Sequence, residues 1–252
     1  MESPASSVEK AVDLLFHLHG ANGAQGVTEL GRALGIPKSS THRMLQSLGK
    51  RGLVERDDRG KYRPGVALLA LGLGVLDREP LAVAARPILE EQAGQLGETF
   101  FLVVARARQL VVLDKAEGTG FLRAAPRVGA SVPVHATAVG KLFLAFNPES
   151  LAPVDLNQAD AFTQQTLLRS EALESAVEQT RARGWASNRD EWIQGLSVLA
   201  APVRRGDGML GAVALAASTA RLDELGEEAL VERVIATGDS IAARVGLARR
   251  SQ

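Results

Sequence analysis

The stretch "GIPKSSTHRMLQSLGKRGLVERDDRGKYR", residues 35–63, decides how the first part of the chain folds. It opens with Gly35-Ile36-Pro37, a turn that a helix crosses with difficulty because proline has no amide hydrogen. Ser39 or Ser40 can cap the helix that follows. One face of that helix is expected to pack inward, with Thr41, Met44, Leu45 and Leu48.

Two more helices and a hairpin are predicted around this helix. Ser6-Ser7-Val8-Glu9 has the pattern of a capping box, and apolar residues then recur at helical spacing to about residue 19. Thr28 can cap a second short helix. After the third helix, Asp57-Asp58-Arg59-Gly60 indicates a turn between strands at 53–56 and 61–63. The order helix, helix, turn, helix, hairpin predicts a winged helix-turn-helix.

The charge of this region suggests a polyanionic partner. Residues 32–63 carry nine basic and three acidic side chains, a net charge of +6, although the whole chain has a net charge of zero. A helix N-terminus attracts phosphate, and a basic hairpin tip can enter a minor groove. The residues predicted to contact double-stranded DNA are Lys38, Ser39, Ser40, Thr41, His42, Arg43, Gln46, Arg59 and Lys61. The alternative is a solvated helix face, but the joint presence of topology, charge and wing favours DNA.

The residues after the hairpin suggest a linker helix. Residues 65–79 are rich in leucine and are too apolar to stay isolated in water, so a partner surface is expected. We interpret this segment as a linker and dimer element, and the alternative is that it belongs to the core of the next domain. The predicted division is a DNA-binding domain at 1–64, a linker helix at 65–79 and a second domain at 80–252.

The second domain is predicted to be α+β. Helices are expected from Pro80 over about sixteen residues, at 138–146, at 171–183 and from a cap at Asp223 to about residue 245. Strands are expected at 99–106, 110–115, 121–124, 196–203 and 209–217, the last two joined by the hairpin signal Arg-Arg-Gly-Asp-Gly. Helices would therefore flank a mostly antiparallel sheet.

Several kinds of chemistry are excluded or weakly supported. The chain has no cysteine, which excludes thiolate nucleophiles and disulfides. "HATAVGKLFLAF" at 135–146 lacks the first glycine and the hydroxyl residue of a phosphate loop, and the four histidines are scattered. No metal or cofactor is expected. Without an apolar run of about 18 residues or a signal peptide, we expect a cytoplasmic protein with no membrane partner.

A polar cluster before a buried strand is a candidate ligand site. Asn188, Arg189, Asp190 and Glu191 immediately precede the apolar strand that starts at Leu196. Such a cluster can place hydrogen-bonding groups at the mouth of an apolar pocket. It can equally be a solvated loop. Acid–base catalysis by Asp190 and Glu191 is a third alternative, but it lacks a nucleophile or a metal.

Three segments together resemble the IclR-type bacterial transcription regulators: "GIPKSSTHRMLQSLGKRGLV", "HATAVGKLFLA" and "RARGWASNRDEWIQGLSVLAAPV". The resemblance covers nearly the whole chain. It implies a winged helix-turn-helix, a linker helix and a GAF-like effector domain in a homodimer or homotetramer. It also implies an effector that is a small carboxylate or aromatic metabolite. The effector residues implied by motif match are Ala138, Val139, Asn188, Asp190, Leu196, Val198, Ala214 and Ala216.

This chain departs from the family pattern in its implied pocket. Some members carry a cysteine where this chain has Val198, and serines where it has Ala214 and Ala216. Each change removes a hydrogen-bonding group, and a buried pocket without such groups penalises polar ligands. We therefore expect an effector less polar than glyoxylate or pyruvate, and aromatic. The alternative is an empty pocket in a domain that serves only oligomerisation.

Three classes of function stay open from the sequence, and a DNA-binding regulator without enzymatic activity is the favoured one. An enzyme would rest on Asp190 and Glu191 alone. A scaffold protein would rest on the apolar segment 65–79 alone. Repression and activation are both compatible with the regulator, because the outcome depends on where the operator lies.

Overall fold

The computed structural model describes residues 6–76, 78–120 and 126–248, and the contacts divide the chain into two units. The first unit ends at Arg78 and the second begins at Glu79. Each unit has its own buried core.

The first unit is a winged helix-turn-helix, as predicted. Its elements are α1 (Ser7–Gly20), α2 (Val27–Ala33), α3 (Lys38–Gly49), β1 (Val54–Arg56), β2 (Tyr62–Pro64) and α4 (Val66–Leu76). The two strands form an antiparallel hairpin. One apolar cluster holds the three helices and the hairpin together, and its buried members are Leu14, Leu18, Leu30, Ile36, Leu45, Val54 and Tyr62.

The helix starts agree only partly with the prediction. The capping box of α1 is confirmed, with the amide of Glu9 donating to Ser6 Oγ at 3.2 Å. Helix α2 is capped by Gly26 and not by Thr28, because the Glu29 carboxylate accepts from the Gly26 amide at 2.7 Å. Helix α3 begins at Lys38, directly after Pro37. The predicted caps Ser39 and Ser40 are wrong, since the proline already sets a φ of −54° at the helix entrance.

The linker helix α4 is exposed on the first unit. None of its residues is buried, and Leu69, Leu73 and Val75 are 61%, 50% and 70% exposed. Its N-terminus is attached to the wing, because the Val66 amide donates to Glu55 Oε1 at 3.1 Å. An apolar helix that packs only at its first turn leaves most of its surface available to a partner.

The second unit is an antiparallel sheet with helices on both faces, as predicted. Its elements are α5 (Pro80–Leu96), β3 (Thr99–Arg106), β4 (Gln109–Ala116), β5 (Ser131–Val132), α6 (Ala138–Phe146), α7 (Ser170–Arg183), β6 (Ala186–Arg189), β7 (Leu196–Arg205), β8 (Gly208–Ser218), α8 (Thr219–Leu225) and α9 (Glu227–Ala248). The strand order is β5-β4-β3-β8-β7-β6, with every pair antiparallel.

The two faces of the sheet have different coverings. One face packs against α5 and α9, with large side chains such as Leu89, Leu215 and Ile241 in the interface. The other face packs against α6, and there β8 presents Ala212, Ala214 and Ala216. Small side chains on this face let α6 approach the sheet closely.

Three details of the second unit differ from the sequence prediction. Residues 186–189 form strand β6, which was not predicted, because they pair with β7 at the sheet edge. The last helix is broken at Gly226 (φ 84°), so Asp223 lies inside α8 and caps nothing. Strand β5 at the other edge was not predicted. The strand expected at 121–124 lies outside the described residues.

Replacing Gly140 by alanine is expected to destabilise the second unit by about 1–3 kcal/mol, the typical cost of overpacking. A Cβ at this position would lie 1.8 Å from the carbonyl oxygen of Val134, so α6 or the preceding segment must move. Urea unfolding followed by circular dichroism measures the loss.

The matched control is Gly94→Ala, on an exposed face of α5. An added Cβ there meets no atom within 4 Å. Helix propensity then predicts an increase in stability of up to about 1 kcal/mol. Equal effects of the two substitutions would contradict the assigned role of Gly140.

Candidate nucleic-acid interface and effector cavity

Helix α3 presents a polar face to solvent. Its apolar side carries Leu45, which is fully buried, and the opposite side carries five of the predicted DNA contacts, all exposed: Lys38, Ser39, His42, Arg43 and Gln46. Ser40 is half-buried between α1 and α3. The exposed set combines hydrogen-bonding side chains with two fixed positive charges, as a helix in a DNA major groove requires.

Thr41 is a correction to the predicted contacts. Its side chain is fully buried, and its hydroxyl donates to the carbonyl oxygen of Pro37 at 3.1 Å. This residue lies on the inward face with Leu45 and packs beside Gly31 of α2. Thr41 therefore fixes the turn between α2 and α3 and cannot reach a DNA surface.

The wing has a defined tip. Asp57 Oδ1 accepts from the amides of Arg59 and Lys61 at 3.0 and 2.8 Å, and Gly60 has a φ of 78° that favours glycine. Arg56 Nε donates to the Gly60 carbonyl oxygen at 3.1 Å. Arg59 and Lys61 remain exposed on this closed turn. Their backbone positions are thus fixed, while both charges face solvent.

The wing is also attached to the helices. The backbones of Gln25 and Tyr62 exchange two hydrogen bonds, of 2.8 and 2.7 Å. The Gln25 side chain in turn contacts His17 Nε2 of α1 at 3.0 Å. Because these contacts connect the hairpin to α1, the wing and α3 form one surface of fixed shape.

A small apolar cavity lies on the α6 face of the sheet. Its described lining comprises Phe101, Val103, Pro126, Val132, Thr137, Val139, Trp192, Leu196 and Val198. The cavity volume is about 20 Å³, which is close to the space that one water molecule needs. Thr137 contributes a hydroxyl, which is already used, since it donates to the Pro133 carbonyl oxygen at 2.7 Å.

Only some of the predicted effector residues line this cavity. Val139, Leu196 and Val198 line it. Ala138, Ala214 and Ala216 belong to the same buried cluster without lining the cavity. Ala214 is paired across the sheet with Phe101, and Ala216 with Val198, so both adjoin lining residues.

Asn188 is buried on β6, opposite Val198. Its amide nitrogen donates to the Ala136 carbonyl oxygen at 3.0 Å, just before α6, and its Oδ1 has no hydrogen-bond partner in the described structure. Asn188 therefore connects the sheet edge to the start of α6. Asn188 is not one of the residues that line the cavity.

Asp190 is a second correction. Its backbone has a φ of 59°, which ends β6 and turns the side chain away from the cavity. Asp190 Oδ1 accepts from the Gly195 amide at 2.6 Å and from Thr219 Oγ1 at 3.0 Å. Its carboxylate thus closes the β6–β7 turn and contacts α8, and it is not a pocket residue.

A buried ion pair joins α6 to Glu191, the residue that precedes the cavity-lining Trp192. Lys141 Nζ of α6 is 2.6 Å from Glu191 Oε1 and donates to the Ser187 carbonyl oxygen at 2.9 Å. The two side chains are only 5% and 12% exposed. Burial lowers the pKa of Lys141, and the charge of Glu191 partly opposes that shift. Glu191 Oε2 is buried without a partner.

These contacts weaken the enzyme alternative. Asp190 is bound within its turn, and Glu191 is paired with Lys141, so the two carboxylates do not face a common substrate position. Across residues 6–76, 78–120 and 126–248, no group of three metal-ligating side chains comes together. In the same ranges, no helix has both the length and the apolar composition to cross a membrane.

The sequence prediction missed several cavity residues. Phe101 and Val103 alternate on β3, and this period of two could have placed both on one face. Trp192 is a large aromatic residue between the polar cluster and the apolar strand, a position that suggests a cover over a pocket. Pro126 and Val132 come from a segment whose path the sequence does not indicate.

Comparison with known proteins covers both units. Residues 7–58 match the IclR helix-turn-helix domain, and residues 73–243 match the C-terminal domain of bacterial transcriptional regulator IclR. The glycerol operon regulatory protein of Streptomyces griseus is 34% identical over 239 residues, covering 94% of each chain. The HTH-type transcriptional regulator XynR of Escherichia coli is 32% identical over 222 residues, covering 86% of this chain and 88% of the relative.

Solved structures share the fold. The Thermotoga maritima IclR structure has a TM-score of 0.77 at 24% identity, covering 95% of this chain and 98% of that one. An IclR homologue from Microbacterium hydrocarbonoxydans, in complex with 4-hydroxybenzoate, has a TM-score of 0.78 at 21% identity, covering 96% and 100%. The two domain matches and the relatives above 30% identity show that the chain belongs to the IclR family of DNA-binding transcription regulators.

Proposed function

We propose that this regulator binds a specific operator through α3 and the wing, and that a small apolar effector in the second unit changes its operator affinity. The observation that carries the first part is the exposed polar face of α3 beside a wing of fixed shape. Lys38 and Arg43 on the helix and Arg59 and Lys61 on the wing supply the positive charge that phosphates require.

The second part is supported by the cavity under α6. Its lining is apolar, and the described lining includes no charged side chain. A polar effector would lose its water contacts there without replacement. An uncharged aromatic molecule fits this chemistry best, and the Microbacterium hydrocarbonoxydans homologue in complex with 4-hydroxybenzoate supports the aromatic ring alone. The cavity must expand to admit such a ligand, because its present volume is about 20 Å³.

A homodimer is the third part of the proposal. Leu69 and Leu73 lie four residues apart on α4, so they share a face, and both are at least half exposed. A second copy of the same helix would cover this face and would place two α3 helices on two half-sites. Two dimers could pair into a tetramer through the second unit.

Operator specificity is expected to depend on Arg43. If its guanidinium contacts a base edge, Arg43→Ala weakens binding to the operator by about 1–3 kcal/mol and leaves binding to a scrambled duplex nearly unchanged. Fluorescence anisotropy with both duplexes measures the two affinities. Arg169→Ala, an exposed arginine in the second unit, serves as the control and should change neither. An equal loss on both duplexes would make Arg43 a phosphate contact.

Ligand screening by thermal shift tests the effector class. Phenol, an uncharged aromatic molecule, is expected to stabilise the protein, by about 2.7 kcal/mol at 100 times the Kd, whereas the carboxylates glyoxylate and pyruvate are not. Val198→Phe should abolish this stabilisation, because the larger side chain fills the cavity. Val83→Phe, at a position 53% exposed on α5, is the matched control. Stabilisation by the small keto acids alone would contradict the proposal.

Sedimentation of variants tests the dimer. Leu69→Glu combined with Leu73→Glu would bring four carboxylates into the proposed interface, and we expect a shift from dimer to monomer at micromolar concentration. Val128→Glu, at a residue 45% exposed in the second unit, should sediment as the parent does. A dimer that survives the double substitution would exclude α4 as the principal interface.

A further inference from the structure

The segment between β6 and β7 covers the cavity. It comprises residues 190–195, which we call the lid, and its Trp192 is half-buried against the cavity beside Leu196 and Val198. An opening that admits a ligand the size of a benzene ring must come from movement of the lining. The lid is a short connection, so it can move without breaking the paired strands on either side.

Both ends of the lid are fixed. The Asp190 amide donates to the Leu196 carbonyl oxygen at 3.0 Å, and Asp190 Oδ1 accepts from the Gly195 amide at 2.6 Å. Gly195 has a φ of 80°, and Asp190 a φ of 59°. The residues between these two points form a closed loop whose ends are held together. Movement is therefore confined to Glu191, Trp192 and their neighbours.

One buried contact holds the middle of the lid inward. Lys141 Nζ of α6 donates to Glu191 Oε1 at 2.6 Å. From the outer side, Thr166 Oγ1 donates to the Glu191 carbonyl oxygen at 2.7 Å, and Thr163 Oγ1 donates to the Asp190 carbonyl oxygen at 2.6 Å. When Glu191 moves outward, Trp192 must move with it, because the two residues are adjacent.

The Lys141–Glu191 ion pair contributes little net free energy to the closed state. A buried ion pair recovers in Coulomb attraction roughly what its two charges lose by leaving water. Here the recovery is incomplete, because Glu191 Oε2 is buried without a partner. Outward movement would hydrate that oxygen while it breaks the pair. The Lys141–Glu191 ion pair thus holds the lid closed, and water can replace this contact when the lid opens. We call such a reversible contact a latch.

We propose that residues 190–195 are a lid that gates the effector cavity, with the Lys141–Glu191 pair as its latch. This inference rests on the proposed function, since it describes how an effector enters the cavity assigned there. The lid root also contacts α8 and α9: Arg189 pairs with Asp223 and with Glu227. These ion pairs hold the root of the lid in place beside α8 and α9.

Fluorescence quenching tests the latch without any effector or DNA. The chain has two tryptophans, so Trp185→Phe leaves Trp192 as the single reporter. In that background, Lys141→Met leaves the Glu191 carboxylate buried and unpaired, and it is expected to leave the interior. We expect an open fraction at least about tenfold higher, equal to about 1.4 kcal/mol, and stronger quenching of Trp192 by acrylamide.

The double substitution Lys141→Met with Glu191→Met separates the latch from simple damage. Removal of both charges eliminates the unpaired buried carboxylate but also the latch contact, so quenching should fall below that of Lys141→Met and stay above the parent level. If Lys141→Met does not fold, Thr166→Val removes the outer hydrogen bond and should raise quenching by a smaller factor.

Arg86→Met is the matched control. It leaves Asp114, which is 1% exposed, unpaired on the side of α5. Asp114 resembles Glu191 because one of its oxygens is also buried without a partner. We expect no change in Trp192 quenching from this variant. Equal quenching by Lys141→Met and Arg86→Met, or none by Lys141→Met, would overturn the latch.

Operator binding by the same variants distinguishes a failure of the proposed function from a failure of the proposed lid. If the parent protein does not distinguish its upstream duplex from a scrambled one, the proposed function fails, whatever the quenching shows. If the parent binds its operator but Trp192 is insensitive to Lys141→Met, the regulator stands and the lid fails.

Discussion

The close contact of α6 with the sheet face that carries the alanines of β8 is the constraint on which the second unit depends. Strand β8 packs Val213 and Leu215 into the cluster with α5 and α9, and it presents Ala212, Ala214 and Ala216 on the α6 side. Gly140 lets the segment at Val134 cross the helix in direct contact. The short side chains permit the approach of α6, and they leave the cavity bounded by Phe101 and Trp192 unfilled. The short side chains thus account both for the packing of α6 on the sheet and for the cavity proposed as the effector site.

The first unit depends on a different constraint, which is the fixed position of the wing relative to the helices. Gln25 and Tyr62 pair the hairpin with the helices, and Glu55 joins the wing to the start of α4. A displacement of the linker helix α4 therefore also moves the wing. In an allosteric regulator this rigidity is useful, because an effector acts only through its different affinity for two arrangements of the DNA-binding elements.

Local patterns predicted the elements better than they predicted the side-chain environments. The winged helix-turn-helix followed from turn residues and apolar spacing, which are local properties. Thr41 was assigned to DNA although it shares a face with Leu45, because its residue type was given more weight than its position. The family resemblance implies a pocket role for Asp190, and nothing local in the sequence indicates the left-handed backbone that the structure has there. Trp192 and Phe101 meet only through the tertiary fold, so no sequence spacing could bring them together.

The most direct test of the account is fluorescence anisotropy of the full chain with duplex DNA from the region upstream of its gene. The duplex is compared with a scrambled one across a salt series. The account predicts tight, sequence-dependent binding whose affinity falls steeply with salt, by about 10³–10⁵ between 50 and 200 mM for six to ten phosphate contacts. Equal weak binding to both duplexes would reduce the winged unit to a nonspecific polyanion surface, and no binding at low salt would contradict the account.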